Sequence, residues 1–194
     1  TKHGSPNWCP TTSPGGRMKE DTMSVLDELG YVLAPANAAQ RVTQRIAATS
    51  PGAWVFQRTL YPLDKVLYKR TGGRRTVASL MAGLPVIMLT TTGAKSGEPR
   101  SMPLVGIPID GDLAIIGSNY GQQRTPGWVY NLGADPAATV SYGDRTVDVT
   151  ARAASATEAD RAFEIAATFY PGYGKYRARA SHRTIGVFVL EHPR

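Results

Sequence analysis

The sequence is short of the residues that disulfides, metal centres and membrane spans require. A single cysteine, Cys9, stands among 194 residues, so no internal disulfide can form, which agrees with a reducing compartment. The three histidines show no metal-ligand spacing, and no metal site is expected. No uncharged apolar run approaches the roughly 18 residues of a membrane span, and no secretion signal opens the chain. These absences predict a cytoplasmic protein.

Familiar motifs of hydrolases and nucleotide-binding enzymes are also missing. No Gly-x-Ser-x-Gly elbow is present. The stretch 93–96 lacks the glycine spacing of a P-loop, and the stretch 172–177 lacks the third glycine of a dinucleotide fingerprint. Any chemistry is therefore expected to belong to a bound cofactor rather than to a catalytic triad or a metal.

Positive charge is concentrated in the middle of the chain. Residues 41–100 carry 10 Lys/Arg against 2 Asp/Glu, whereas the rest of the chain is nearly neutral, so this segment accounts for the net charge of +7. Such a segment attracts polyanions, whether nucleic acid, anionic lipid or a multiply charged cofactor, although ordinary exposed helix faces would look the same. No nucleic-acid partner is expected, because the tyrosine cluster at 170–176 lies outside the basic segment.

The first part of the chain predicts little regular structure followed by short helices. Residues 1–23 are turn formers without apolar periodicity, and are expected to be disordered or foreign to the native chain. Residues 24–83 form an N-terminal helical region, with helical spacing at 25–29, 42–47 and 63–70. Arg41 and Arg45 accompany apolar residues there, which suits either weak association with an anionic membrane surface or a lid packed on the remaining fold.

Residues 84–194 have the alternation and turns of an antiparallel sheet. Asp110-Gly111 and Gly143-Asp144 are tight-hairpin signals, and helices are predicted at 126–132 and 158–169. The apolar runs lie at 84–92, 101–109, 112–117, 138–142, 146–153 and 184–190. The pattern predicts a mainly β protein with helices (α+β), in which about six antiparallel strands close a small barrel as the core of a single domain.

The loop between the first two runs carries more than a turn needs. Between Thr90 and Arg100 it holds two glycines, Gly93 and Gly97, together with Lys95, Ser96 and Arg100. Glycine lets a backbone approach a ligand closely, and cations with exposed amides suit a phosphate or a carboxylate. A solvated turn whose charges keep the strand ends soluble is the alternative.

Two further segments are candidate binding elements. The loop 117–128 runs from a strand into a helix start, and could cover a flat ring; alternatively Trp128 is a core residue and Ser118 a strand cap. The segment 170–177 spaces three tyrosines three residues apart, among a proline and two glycines that argue against a regular helix. Tyrosine rings with polar handles suit an aromatic substrate pocket, although tyrosines packing a loop would look alike.

Together these motifs resemble the deazaflavin-dependent nitroreductase family over about residues 60–191. The resemblance rests on Thr90–Arg100, Pro103-Leu104, the 117–121 loop, the 126–132 helix, Asp135-Pro136 and the tyrosine spacing. It implies an FMN-binding-like split β-barrel that takes hydride from reduced coenzyme F420, a deazaflavin with a phosphate and an oligoglutamate tail. The acceptor would be a small molecule: a quinone, an α,β-unsaturated carbonyl or a nitroaromatic. The alternatives are an FMN-dependent oxidoreductase of this fold and a basic nucleic-acid-binding barrel.

The resemblance also implies residue roles. Lys95 and Arg100 would hold the phosphate and tail, with Ser96 and Gly97 shaping the loop. The deazaflavin would be bordered by Pro103, Ser118, Asn119 and Trp128. The substrate side would be lined by Val105, Tyr170, Tyr173 and Tyr176. The catalytic candidates are Tyr170, Tyr173 and Ser118, with the proton coming from a tyrosine or from solvent.

The sequence departs from the family pattern at three positions. Ala94 stands where such sequences often have arginine, and Asn119 where the nitroreductase itself has lysine, so the anion site has fewer cations here. Val105 replaces a tyrosine of that enzyme's pocket. The resemblance therefore leaves open whether nitroimidazoles are turned over.

Overall fold

The computed structural model describes residues 23–33, 37, 40–41, 83–170, 172–179 and 184–193. The expected disordered lead-in, apart from Met23, and the helices expected at 42–47 and 63–70 lie outside the described residues. So do most of the cations of the basic segment.

The described part of the chain contains one seven-stranded sheet and four α-helices. The strands are β1 Val86–Thr92, β2 Pro99–Val105, β3 Ile107–Ile109, β4 Asp112–Ile116, β5 Ala137–Tyr142, β6 Arg145–Ala153 and β7 Val187–Glu191. The helices are α1 Val25–Leu29, α2 Gly127–Ala134, α3 Ala156–Phe169 and α4 Gly172–Arg179, with a 3₁₀ turn at Asn119–Gly121. Every strand pair is antiparallel, in the order β2-β1-β5-β6-β7-β4-β3.

The sheet is curled into a split barrel whose two edge strands are joined by a single residue. β2 and β3 lie at opposite edges of the sheet, yet only Gly106 separates them in the chain. The two edges must therefore approach each other, which confirms the predicted barrel. A side chain at Gly106 would have its Cβ only 3.1 Å from Leu113 Cδ2 and 3.2 Å from Ile87 Cγ2, so glycine packs at this bend without displacing its neighbours. The expectation of about six strands was short by one because the run 101–109 is divided at this bend.

The β3–β4 hairpin has the turn that its sequence predicted. Asp110 and Gly111 both adopt positive φ, 49° and 89°, as the two central residues of a type I′ turn do. Asn and Asp tolerate this region better than other side chains, and glycine enters it without strain. The prediction of a tight hairpin at this dipeptide is confirmed.

The barrel interior is closed at one place by α1. Val25 and Leu29 are 0% and 1% exposed, within the cluster that contains Ile87, Leu89 and the inward residues of β5 and β6. Ser24 Oγ accepts from the Asp27 amide at the start of α1, and Gly30 ends the helix with φ 59°. This short N-terminal helix is thus part of the barrel core.

A second apolar cluster lies between the sheet and the helices α3 and α4. Ala162, Phe163 and Ala166 of α3 are buried there, against residues of β3, β4 and β7. A capping box between Ser155 and Glu158 begins α3. This second cluster also contains the three tyrosines of residues 170–176.

Candidate cofactor and acceptor site

The basic hairpin between β1 and β2 is a compact, hydrogen-bonded loop. The Gly93 amide donates to Glu98 O at 2.9 Å, and the Gly97 amide donates to Gly93 O at 2.8 Å. Gly97 has φ 68°, a conformation that favours glycine. The side chains of Lys95 and Arg100 are both exposed on this loop. The structure therefore presents the two predicted cations on an ordered tip.

Asn131 of α2 fixes the hairpin tip to the barrel. Its Oδ1 accepts a hydrogen bond from the Ala94 amide at 3.0 Å, and its Nδ2 donates to Thr91 Oγ1 at 3.0 Å. Within the loop, Arg100 Nη2 donates to Ser96 Oγ at 3.2 Å. Sequence reasoning gave Asn131 no role. The available signal was a polar residue three positions after the buried Trp128, on the same face of a helix.

The chemistry of this hairpin fits an anionic group. The Arg100 guanidinium lies beside the Ser96 hydroxyl, and the Lys95 ammonium is exposed on the same loop; cations and hydroxyl donors of this kind suit a phosphate or a carboxylate. The loop leaves no room for a side chain at Gly93, whose Cβ would lie 2.7 Å from Ser96 Oγ and 3.1 Å from Glu98 O. The backbone of this loop is therefore tightly closed.

The second predicted element, the loop after β4, joins the barrel to both neighbouring helices. The Gly117 amide donates to Gly186 O at 2.8 Å, and Asn119 Nδ2 donates to Arg124 O at 2.8 Å. Asn119 has φ 47°, a left-handed conformation that asparagine adopts more readily than most residues. Ser118 is 5% exposed. The following 3₁₀ turn contacts α4, so this loop lies between α2 and the tyrosine helix.

Trp128 occupies the barrel core. It is 3% exposed and packs edge-on against Phe188, with 5.9 Å between ring centroids. This is the core position that the sequence left open as an alternative, and contact with a cofactor ring stays a prediction. Pro103 is half-buried on β2, opposite Met88 of β1.

The tyrosine segment is helical, and the prediction that its glycines prevent a regular helix is wrong. α4 spans Gly172–Arg179. Glycine inside a helix costs about 1 kcal/mol relative to alanine, but burying large side chains contributes more. Tyr173 and Tyr176 are three residues apart and face the second apolar cluster, so packing outweighs the low helix propensity.

The three tyrosines form a buried aromatic group. Tyr170, Tyr173 and Tyr176 are 5%, 6% and 3% exposed, and their ring centroids lie 5.8 to 6.2 Å apart. The Tyr170 and Tyr176 hydroxyls are 2.7 Å apart, within hydrogen-bonding distance. Val105, which ends β2, packs against the same cluster. The structure thus brings together the four residues predicted for the substrate side, whose roles remain predictions.

Tyr31 is a neighbour of this region that sequence reasoning missed. Its hydroxyl donates to Gly106 O at 2.7 Å, and its ring lies 5.1 Å from the ring of Tyr142. Burial, with the neighbouring Tyr142 and Tyr173, raises the pKa of Tyr31 above its ordinary value, so the hydroxyl remains a donor at neutral pH. The contact spans 75 residues, and no local pattern could have indicated it.

The part of the chain that the structure describes shows neither a metal-binding cluster nor a membrane-spanning helix. No group of three His, Cys, Asp or Glu side chains is placed to hold a metal ion in those ranges. In the same ranges, none of the helices has the length and apolar character to cross a membrane.

The curled antiparallel sheet, the basic hairpin and the buried aromatic cluster can be set beside proteins of known family. The F420H(2)-dependent quinone reductase family matches residues 62–192, which is more than half of the chain. The chain belongs to this family. The resemblance to deazaflavin-dependent reductases is therefore confirmed, and with it the cofactor class and the oxidoreductase class at the level of the family.

Individual relatives agree with this assignment. The F420H(2)-dependent quinone reductase of Mycobacterium tuberculosis is 35% identical over 136 residues, covering 68% of this chain and 89% of that protein. A solved F420-H2 dependent reductase, FDR-A, is 36% identical with a TM-score of 0.51, covering 55% of this chain and 94% of that one. A solved domain-swapped dimer is 33% identical with a TM-score of 0.53, covering 73% of this chain and all of that one.

Proposed function

We propose that this chain transfers hydride from reduced coenzyme F420 to a quinone, with α,β-unsaturated carbonyls and nitroaromatics as further acceptors. The family and the relatives named as F420H(2)-dependent quinone reductases support this function. The single observation that carries it is the ordered hairpin, in which Lys95 and Arg100 stand exposed on a tip fixed by Asn131. Such a tip suits the phosphate and carboxylate tail of the cofactor.

The hairpin would bind the anionic groups of the cofactor, and the loop after β4 would bind its ring. Lys95 and Arg100 hold its anionic groups, while Ser96 and Gly97 keep the tip in shape. Pro103, Ser118 and Asn119 border the deazaflavin ring on the side that faces the tyrosine helix α4. When bound, reduced F420 supplies a hydride. Trp128 borders the ring from the start of α2, where it packs against Phe188.

The aromatic cluster would form the acceptor side. Its rings exclude water from the acceptor, since all three tyrosines are buried. A quinone gains a hydride and one proton on reduction to the quinol. The Tyr170 and Tyr176 hydroxyls, which form a hydrogen bond with each other, are the candidate proton donors of this cluster. Water is the alternative source of the proton. Tyr173 and Val105 shape the wall, and Ser118 lies at its edge.

The proposal is tested by anaerobic oxidation of reduced F420 in the presence of a quinone, followed by the deazaflavin absorbance. We expect oxidation to depend on both the chain and the quinone, and to produce quinol in equal amount. Reduced FMN in place of F420 gives the matched control. Quinone reduction with reduced FMN but not with reduced F420 would contradict the proposal and support the FMN-dependent alternative.

We further infer a cytoplasmic protein that touches the inner face of the membrane through its N-terminal region. Val32 and Leu33 are 63% and 39% exposed, which supports a weak apolar contact. Deleting the first 50 residues would remove Val25 and Leu29 from the barrel core, so Val32→Ser with Leu33→Ser is the better test. The doubly substituted chain should co-sediment less with anionic vesicles than the parent. Equal co-sedimentation would contradict the membrane contact.

A further inference from the structure

Tyr31 connects the N-terminal segment to the strand that carries Val105. It lies outside residues 62–192, the range matched by the family, yet its hydroxyl is 2.7 Å from the carbonyl oxygen of Gly106. Gly106 directly follows Val105, which packs in the cluster of the three tyrosines. A residue outside the matched range therefore contacts the backbone next to the predicted acceptor wall.

Gly106 is held by hydrogen bonds at both its amide and its carbonyl. Its amide donates to Pro85 O at 3.1 Å, and its carbonyl accepts from Tyr31. The Tyr31 ring also packs directly on it, since a Cβ at Gly106 would lie 3.2 Å from Tyr31 Cε2. Glycine has the greatest backbone freedom of any residue, so these contacts restrain the bend between β2 and β3.

Tyr31 is itself rigidly supported. Its amide donates to Leu26 O at 2.9 Å, which ties it to α1, and α1 is anchored in the barrel by Val25 and Leu29. Its ring packs against Tyr142 on β5. A side chain held in this way can transmit a fixed position to the Gly106 carbonyl.

We infer that Tyr31 is a positioning residue of the acceptor site: its hydroxyl fixes the Gly106 bend and thereby places Val105 against the tyrosine cluster. The part of this inference that concerns the acceptor rests on the proposed function. Because the contact is on the acceptor side, it affects quinone binding and leaves the basic hairpin unchanged. The N-terminal segment would then contribute to acceptor selection, in addition to sealing the barrel.

The test substitutes Tyr31→Phe, which keeps the ring and removes only the hydroxyl. Tyr142→Phe is the matched control, because Tyr142 packs on the same ring but donates its hydroxyl to Val32 O. The first measurement is amide hydrogen exchange over residues 104–108. We expect faster exchange there in Tyr31→Phe, and exchange like that of the parent in Tyr142→Phe.

The second measurement separates KM from kcat for quinone reduction by reduced F420. We expect Tyr31→Phe to raise the KM for the quinone about three- to tenfold, as the loss of one net hydrogen bond predicts, with kcat and F420 affinity nearly unchanged. Tyr142→Phe should leave all three at parental values. A parent chain that reduces no quinone would refute the proposed function, and the exchange measurement would then decide the inference by itself. Unchanged exchange at 104–108, or equal changes of KM in both variants, would overturn it.

Discussion

The side chain of Asn131 accepts a hydrogen bond from the backbone amide of Ala94, with 3.0 Å between the two atoms. These residues are 37 positions apart, and their contact docks the basic hairpin on α2. The same side chain donates to Thr91 Oγ1 at the end of β1. One amide group therefore sets the position of Lys95 without contributing any charge.

Asn131→Ala should weaken F420 binding although no cation is removed. Without Asn131 the hairpin tip is less ordered, and binding must then order it, so we expect about a three- to tenfold loss of affinity. Gly133→Ala is the control, because a Cβ at this exposed position of α2 meets nothing within 4 Å. Deazaflavin titration of both variants measures the effect. Parental affinity in Asn131→Ala would show that the tip needs no anchor.

Lys95→Ala and Arg100→Ala should each weaken F420 binding by about 1.5–3 kcal/mol, the range for a hydrogen bond to a charged group. Thermal stability should hardly change, because both side chains are exposed. Arg161→Ala removes the same charge from α3, where Arg161 pairs with Asp110, and serves as the control. If the hairpin is only a solvated turn, all three variants will bind the cofactor as the parent does.

The hydroxyl pair of Tyr170 and Tyr176 should behave as a unit in turnover. Each Tyr→Phe change breaks the same 2.7 Å contact, so the double variant should lose little more than either single variant. We expect losses well below the roughly 10²–10⁴-fold of a required proton donor, because the quinol can also take its proton from water. Steady-state quinone reduction with all three variants measures this coupling.

The same tyrosine variants also test where the cluster belongs. F420 affinity should be nearly parental in each, because the tyrosines are assigned to the acceptor side. Tyr173→Phe should behave like the others in this respect. Loss of cofactor binding with normal turnover of bound cofactor would instead place the tyrosines in the cofactor cleft.

The ion pairs of Arg152 at the start of α3 should make the free energy of unfolding depend on pH in the acid range. The Arg152 guanidinium, which also bonds Glu191, donates to both Glu158 carboxylate oxygens, and with the Ser155 amide it lowers the pKa of Glu158 from 4.5 to about 2. A lowered folded-state pKa means that the stabilisation is present above the ordinary pKa, and is lost as the pH falls from 4.5 toward 2.

Glu158→Gln should therefore lower the free energy of unfolding at neutral pH by about 1–2 kcal/mol, allowing for solvent screening of a partly exposed pair. Glutamine can still serve in the capping box, so the change removes the charge and one of the two acceptor oxygens that Arg152 uses. The parent and the variant should converge in strong acid. Glu164→Gln, on the exposed face of α3, is the control. A difference in stability that does not vary with pH would contradict this assignment.

The sequence predicted those parts of the fold that local patterns encode. Alternating apolar residues indicated the strands, and Asp110-Gly111 indicated its hairpin, because both depend on neighbours along the chain. The break at Gly106 was missed, since the run 101–109 reads as one apolar strand and only the closed barrel shows Gly106 packed close to Leu113 and Ile87. The α4 helix was missed because local glycine propensity pointed the other way, and burial of the tyrosines outweighed it.

The candidate site was predictable in its charges and rings but not in its supports. Lys95 and Arg100 stand out in a short loop, and three tyrosines stand out by their spacing. Asn131 contacts Ala94, 37 positions away along the chain, and Tyr31 contacts Gly106, 75 positions away. No local sequence pattern indicates such contacts. Trp128 could be read as either core or site from sequence, and only packing against Phe188 places it in the core.

The central claim, that the basic hairpin selects a deazaflavin with an anionic tail, is tested most directly by equilibrium titration with F420 and with FMN at two salt concentrations. FMN carries a phosphate but no carboxylate tail, so we expect it to bind at least about tenfold more weakly than F420. The affinity for F420 should fall as salt rises, because the exposed cations of the hairpin are screened. FMN binding as tight as that of F420, with no effect of salt on either, would contradict the claim.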